Sequence, residues 1–105
     1  MANAVIEKHP SASLLFVDFD FTDDLPDDTS LAAGSTVTAV DADGAAAASV
    51  VGTVSQSGMI HRAVLQAGTN GQDYLITFVA IGGTTARQAV KQLEMRVRSE
   101  LTGAL

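Results

Sequence analysis

The residues with the clearest potential for chemistry are aspartates that gather in one stretch of the chain. Six of them fall within eleven residues: Asp18, Asp20, Asp23, Asp24, Asp27 and Asp28. Their spacing partly matches the oxygen ligands of an EF-hand calcium loop, which also requires Gly at its sixth position and Glu at its twelfth. Counted from Asp18, those positions hold Asp23 and Thr29. The stretch is therefore interpreted as an acidic strand face that leads into a polar loop.

Other residue types that support catalysis are sparse. His9 and His61 are the only histidines. Neither belongs to a Ser-His-Asp arrangement with a nucleophile elbow, and both are predicted to lie at the surface or at a strand edge. Carboxylates that hydrolyse glycosides converge on a cleft from separate elements, whereas these aspartates are neighbours in the sequence. The glycine stretches 68–71 and 82–83 lack the flanking residues of phosphate-binding loops. The sequence therefore predicts a protein that is not an enzyme and that uses no metal or cofactor.

Composition excludes several classes of partner. The chain has 105 residues and a formal net charge of −6, which predicts one acidic domain. Such a charge argues against nucleic acids and anionic membranes as partners, because both require a basic surface. The absence of cysteine excludes a disulfide scaffold. No stretch has the pattern of a signal peptide or a membrane span, so we expect the chain to be made and kept in a bacterial-type cytoplasm or built into something assembled there.

The charges are distributed unevenly along the chain. No basic residue lies between Lys8 and Arg62, whereas the C-terminal segment is mildly basic. This polarity favours packing of copies in which unlike faces meet, although a solvated loop and a solvated strand face would give the same pattern. The residues that we predict at such an interface are Asp23, Asp24, Asp27, Asp28, Arg87, Lys91, Arg96 and Arg98.

Hydrophobic alternation predicts short β-strands along most of the chain. In residues 15–21, the apolar Leu15, Val17, Phe19 and Phe21 share one face, and Asp18 and Asp20 lie on the other. Further strands are predicted at 36–40, 49–54, 59–65 and 72–81. Turn signals recur about every ten residues, which is typical of a β-sandwich or barrel.

The segment from residue 85 to residue 101 fits two structures. Ala86, Val90, Leu93, Val97 and Leu101 recur at helical spacing. The apolar side chains at 93, 95 and 97 also alternate with the charged side chains at 94, 96 and 98, as in a strand with a charged outer face. The pattern alone does not decide between helix and strand.

Three blocks of the sequence carry a specific resemblance. They are FDFTDDLPDDTSL at 19–31, GTNGQDYLITF at 68–78 and GGTTAR at 82–87, which leads into LEMRVR at 93–98. The middle block has the form Gly-x-x-Gly-x-x-Tyr followed by alternating apolar residues. Over residues 16–98 the chain resembles a family of small tailed-bacteriophage virion proteins with an immunoglobulin-like β-sandwich, described as fibre–tail adaptors or tail-associated structural proteins.

The resemblance implies an all-β, immunoglobulin-like antiparallel sandwich of about seven strands over residues 14–99. It implies that residues 93–97 form the last strand, with the preceding helical spacing an accident or a bulge near Gln92. An extended N-terminal arm, 1–13, and a C-terminal tail, 100–105, would lie outside the sandwich. Gly68, Gly71 and Tyr74 would form a tyrosine corner, in which the phenol bonds back to the loop backbone, although Tyr74 would equally serve as a core aromatic residue.

The function that the resemblance implies is structural. The chain would be an adaptor in the virion that docks on the tail and bridges it to tail fibres or another tail protein, with copies of itself in a ring of roughly six or twelve. The alternatives are a head–tail connector, neck or stopper protein, and a carbohydrate- or cell-surface-binding module. A calcium-dependent module is a further alternative. Localisation would be the tail or neck region of a virion that assembles in the bacterial host cytoplasm.

Overall fold

A computed structural model describes residues 4–8 and 15–98 of the chain. The described residues form seven β-strands and a single 3₁₀ turn, Ala48–Val50. The strands are β1 (Ala4–Lys8), β2 (Leu15–Asp20), β3 (Thr36–Asp41), β4 (Val51–Ser57), β5 (Ile60–Leu65), β6 (Asp73–Ile81) and β7 (Gln88–Val97).

The strands form two sheets, one in the order β1-β7-β6-β3 and the other in the order β2-β5-β4. Labelled A to G along the chain, these orders contain the C-F-G and B-E-D arrangements of immunoglobulin domains. The first strand joins the C-F-G sheet rather than the B-E-D sheet. The predicted fold class, an all-β immunoglobulin-like sandwich of about seven strands, is therefore confirmed.

The core lies between the two sheets and follows the predicted alternation. Along β6 every second side chain is buried, from Tyr74 to Ala80. On β2, Val17 and Phe19 pack against the core while Asp18 and Asp20 face solvent. The largest side chains with almost no exposed surface are Phe21, Phe78, Leu65, Ile76, Leu93, Met95, His61, Val50 and Val97.

The N-terminal segment differs from its prediction as an arm outside the sandwich. Ala4–Lys8 form β1, which pairs in parallel with β7 over the register Ala4↔Leu93 to Lys8↔Val97. The arm prediction is therefore wrong for these residues, and the sandwich is not wholly antiparallel. Ile6 packs against the core, and the edge of β7 supplies the backbone partners. The remaining residues of the predicted arm and the predicted tail, 100–105, lie outside the described residues.

The ambiguous C-terminal segment is a strand. β7 pairs antiparallel with β6 without interruption, from Gln88↔Ile81 to Arg96↔Asp73. The last strand that the resemblance implies at 93–97 is therefore confirmed, and the regular register leaves no bulge near Gln92 to explain the helical spacing. The full length of β6 is available as a partner, and a regular ladder satisfies the backbone groups of both strands. Leu93, Met95 and Val97 consequently face the core.

Candidate functional site

The acidic and basic residues predicted to join neighbouring copies meet within one chain. The Arg87 guanidinium lies 3.7 Å from an Asp27 carboxylate oxygen. The Lys91 ammonium lies 3.2 Å from a carboxylate oxygen of Asp24 and donates to the backbone oxygen of Asp20 at 3.1 Å. The turn after β2 and the start of β7 therefore complement each other's charge without a second copy.

The other basic residues of the C-terminal strip also have partners on their own sheet. Arg96 pairs with Glu94 at 3.0 Å, and Arg98 pairs with Asp73 at 2.7 Å. Asp23 lies exposed in the turn. The acidic and basic segments of the sequence therefore do not form two oppositely charged faces of the folded chain. The charge argument for an interface between copies at these residues no longer applies.

Asp28 has a different role from the aspartates around it, because it is buried. One of its carboxylate oxygens accepts hydrogen bonds from the backbone N–H groups of Thr84 and Thr85, at 2.8 and 3.0 Å. The other accepts from the Thr85 hydroxyl at 2.6 Å. These bonds join the β2–β3 loop to the β6–β7 loop; we call this arrangement the Asp28 junction, made of Asp28, Gly82, Thr84 and Thr85.

The local sequence explains why the carboxylate fits there. Gly82 lies directly against the Asp28 carboxylate, so that any side chain at this position would collide with it. The adjacent Gly83 N–H donates to the Ser30 carbonyl at 2.9 Å. The pKa of Asp28 is held below its ordinary value, first by the bond from the Thr85 hydroxyl and then by the bond from the Thr85 backbone N–H. The Thr84 N–H and the charge of Arg87 lower the pKa further, and desolvation opposes the shift.

The β4–β5 turn joins the same end of the sandwich. Leu31 N–H donates to the Gly58 carbonyl at 3.1 Å, and Phe21 N–H donates to the Met59 carbonyl at 2.9 Å. The side-chain amide of Gln56 donates to the carbonyls of Leu31 and Ala32, at 3.2 and 3.0 Å. The β2–β3 loop is therefore hydrogen-bonded to both the β6–β7 loop and the β4–β5 turn, and these bonds favour a preorganised surface at this end of the sandwich.

The opposite end of the sandwich contains the tyrosine corner. The phenolic oxygen of Tyr74 accepts a hydrogen bond from the Thr69 N–H at 3.0 Å. Gly68 and Gly71 have φ angles of 94° and 88°, a region that favours glycine. Lys8 is also buried here and donates to the Ala67 carbonyl at 2.7 Å. This is the bond geometry that the tyrosine corner implies, and Tyr74 is also part of the core.

His61 is fully buried between the sheets, so the prediction that it lies at the surface or at a strand edge is wrong. Neither ring nitrogen has a hydrogen-bond partner among the described residues. Burial lowers the pKa of His61, because the charged form would lose its hydration. The signal that identifies its face is the register, since His61 pairs with the inward-facing Phe19. Thr84 and Thr85 were likewise missed, because their role depends on a partner far away in the sequence. His9 lies outside the described residues.

Residues 4–8 and 15–98 contain no group of three or more His, Cys, Asp or Glu side chains arranged to hold a metal ion. Asp18, considered above for calcium, instead binds Arg62, whose Nε and Nη2 donate to it at 2.7 and 3.0 Å. Within the same residues, no helix is long and apolar enough to cross a membrane.

Three comparisons with known proteins found no relative of the chain. No protein-family model matches the chain, and neither the curated proteins nor the solved structures contain a significant match. The description of the chain therefore depends on its own residues and their geometry.

Proposed function

We propose that this chain is a non-enzymatic structural component of a tailed-bacteriophage virion, an adaptor that docks on the tail and bridges it to tail fibres or another tail protein. The observation that supports this most is the Asp28 junction. It joins two of the three sequence blocks that carry the resemblance, since Asp28 lies in the first block and Thr84 and Thr85 lie in the third. The third block also provides Gly82, the residue that leaves room for the carboxylate.

The geometry also suits an adaptor. Loops bonded to one another lose little conformational entropy when they bind, so a preorganised end gains affinity without a large ordering cost. Because Asp24 and Asp27 of the β2–β3 turn pair with Lys91 and Arg87 within the chain, we assign docking to the shape of this end and to exposed strand edges rather than to attraction between opposite charges. Strand edges are a general means of assembly, because their free backbone groups pair with another chain.

The test is the composition of particles. Virions or tails purified by density gradient from the producing cells should contain the chain, in copies that match the tail symmetry, when peptides are quantified by mass spectrometry. A chain that is absent from particles and present only in the soluble lysate would contradict the proposal. A map of the particle by cryo-electron microscopy separates the tail tip from the head–tail neck, and density for the chain at the neck would favour the connector or stopper alternative.

One observation favours a second candidate, a module that binds cell-surface glycans. Phe16 is 60% exposed on the outer face of the β2-β5-β4 sheet, and Arg62 and Asp18 lie beside it as hydrogen-bonding groups. Exposed aromatic rings next to polar side chains are one way to bind sugars, although the Arg62 guanidinium already lies 5.7 Å from the ring centre. Specific binding on a glycan array that is lost in Phe16→Ala would support this candidate, and an array without signal would reject it.

A further inference from the structure

His61 lies where the two sheets pack against each other. It is on β5, the central strand of its sheet, and its ring is 5.6 Å from the ring of Phe78 on β6, in an edge-to-face arrangement. Phe19, the register partner of His61 on β2, lies 4.8 Å from the same Phe78 ring. The three rings pack together between the sheets as part of the larger core, so a change in the charge of the imidazole acts on the packing of one sheet against the other.

The described residues offer the His61 imidazole no hydrogen bond. Both ring nitrogens are buried and have no hydrogen-bond partner among the described residues. Gln56, its register partner on β4, uses its side-chain amide N–H groups for the carbonyls of Leu31 and Ala32. A neutral imidazole without partners is costly to bury, and a charged one costs much more.

The carboxylates on the strands around His61 are bound to other groups and do not offset the cost of burying a protonated imidazole. On β2, the Asp18 carboxylate is bound to Arg62 on the outer face, and the Asp20 carboxylate is bound to Thr22. β4 carries no charged residue. The only charged residue of β6 is Asp73, which pairs with Arg98.

β7, which neighbours β6 in the other sheet, adds a positive charge rather than a negative one. Lys91 on β7 places its ammonium 5.9 Å from the centre of the Phe19 ring and 5.3 Å from that of Phe21. The remaining charges of β7, on Glu94 and Arg96, pair with each other. Among the described residues of β2, β4, β6 and β7, no carboxylate is therefore placed to stabilise an imidazolium at His61.

We propose that His61 makes the joint between the two sheets acid-sensitive, so that the imidazole is compatible with the closed sandwich only in its neutral form. When a ring nitrogen takes a proton from solvent, the positive charge is favoured only after the sheets separate and water reaches the ring. The device is a single titratable side chain that acts through the packing of Phe19 and Phe78. It is independent of the proposed function.

The direction of the effect follows from proton linkage. Burial lowers the pKa of His61 in the folded chain below its unfolded value of about 6.5. Between the two values the unfolded chain binds a proton that the folded chain does not, so stability is lost as the pH falls from about 6.5 to the folded-state pKa. Asp18, Asp20 and Asp28 also have lowered pKa values, but from an ordinary value of 3.8. Their loss of stability therefore belongs to a lower pH range.

The experiment is urea unfolding of the full chain at a series of pH values from 7.5 to 4.5 (roughly the range on either side of the unfolded-state histidine pKa), followed by far-ultraviolet circular dichroism. In the wild type, the unfolding equilibrium constant should rise by up to about tenfold for each pH unit below 6.5. In His61→Leu, which has a similar volume and no titratable group, this rise should disappear. His61→Gln should lose it as well, and this second variant keeps the test usable if the leucine variant does not fold.

The matched control is His9→Gln, which removes the only other histidine and should keep the wild-type pH dependence. A wild type whose stability is flat between pH 7 and 5 (about the range set by a single histidine) would overturn the proposal. So would a pH dependence that persists in both His61 variants or that disappears in His9→Gln.

Discussion

Buried polar side chains are hydrogen-bonded at the two ends of the sandwich but not in the space between its sheets, among the described residues. At the ends, Asp28 accepts bonds from the N–H groups of Thr84 and Thr85, and Tyr74 accepts one from Thr69. Between the sheets, His61 is buried at least as deeply and has no partner among the described residues. The backbone explains the difference. Strands use their N–H and C=O groups in the ladder, whereas loops leave some of theirs available to side chains.

The contrast predicts two different effects on stability, one from the hydrogen-bonded groups at the ends and one from the buried group without a partner. A buried group whose bonds are complete fixes the loops around it, and the bonds favour one protonation state strongly. A buried group without partners contributes no such bond, and its environment penalises one protonation state. We therefore expect substitutions at the loop ends to lower stability at all neutral pH values, and substitutions at His61 to change how stability depends on pH.

The largest effect is expected from Asp28→Asn. The amide keeps one acceptor oxygen but replaces the other with a donor that faces the Thr85 hydroxyl, and the negative charge that strengthens the bonds is lost. The melting temperature should fall by about 10 °C at pH 7, as measured by circular dichroism. The matched control is Asp27→Asn, which alters an exposed side chain on the same turn and should shift the melting temperature by less than about 2 °C. Equal shifts in the two variants would remove the distinction between Asp28 and its neighbour.

A smaller loss is expected from Gly68→Ala, with Gly71→Ala as its matched control. Both glycines have positive φ angles, so alanine costs roughly 1 kcal/mol at either position. At Gly68 the added methyl group would also lie 2.7 Å from a Val97 side-chain carbon, whereas at Gly71 it would meet nothing within 4 Å. The free energy of unfolding measured in urea should therefore fall further for Gly68→Ala. The opposite order would contradict the described corner.

Tyr74→Phe tests the hydrogen bond of the tyrosine corner alone, because it keeps the ring in the core. Removal of the phenolic oxygen leaves the Thr69 N–H without its partner, which should cost about 1 kcal/mol of unfolding free energy. The loss should not vary between pH 5 and 7 (roughly the histidine range), unlike the effect of the His61 variants. A loss that grows in acid would mean that the corner and the space between the sheets are coupled.

The smallest effect is expected from Arg62→Gln on the outer sheet face. The ion pair of Arg62 with Asp18 has short bonds, but the two side chains are 52% and 41% exposed, so solvent screens the attraction. The melting temperature should change by less than about 2 °C and converge with the wild type as salt is added. A shift as large as that of Asp28→Asn would show that surface charge pairs, rather than loop-end bonds, hold this domain.

Much of the fold was predictable because local alternation carries it. The apolar period in residues 15–21 and 72–81 placed the strands that bear most of the core, whereas the corner at Tyr74 was implied by the resemblance, with a plain core position as the alternative. β1 was not predictable in the same way, since five residues that end in Glu7 and Lys8 give a weak pattern. Its partner strand lies at the other end of the chain.

The candidate site was less predictable than the fold. The sequence shows that Asp24 and Lys91 are charged, but the pairing of the two depends on how the β2–β3 turn lies against β7. The same limit applies to Asp28, which looks like its neighbours in the sequence and differs from them because Gly82 leaves space for it and Thr84 and Thr85 donate to it. His61 follows a similar rule, since its face is set by the register with Phe19. Long-range register is the information that the local pattern lacks.

The central claim is that Asp28 is buried with hydrogen bonds to both carboxylate oxygens, whereas His61 is buried with no hydrogen-bond partner among the described residues. The most direct test is a titration of the folded chain by nuclear magnetic resonance, with the Asp28 carboxyl carbon and the His61 ring protons followed in one sample. The pKa of Asp28 should lie below 3.8 and that of His61 below 6.5, or the chain should unfold before His61 titrates. A His61 pKa at or above 6.5 in the folded chain would show that the imidazolium has a partner or reaches water, and would contradict the account.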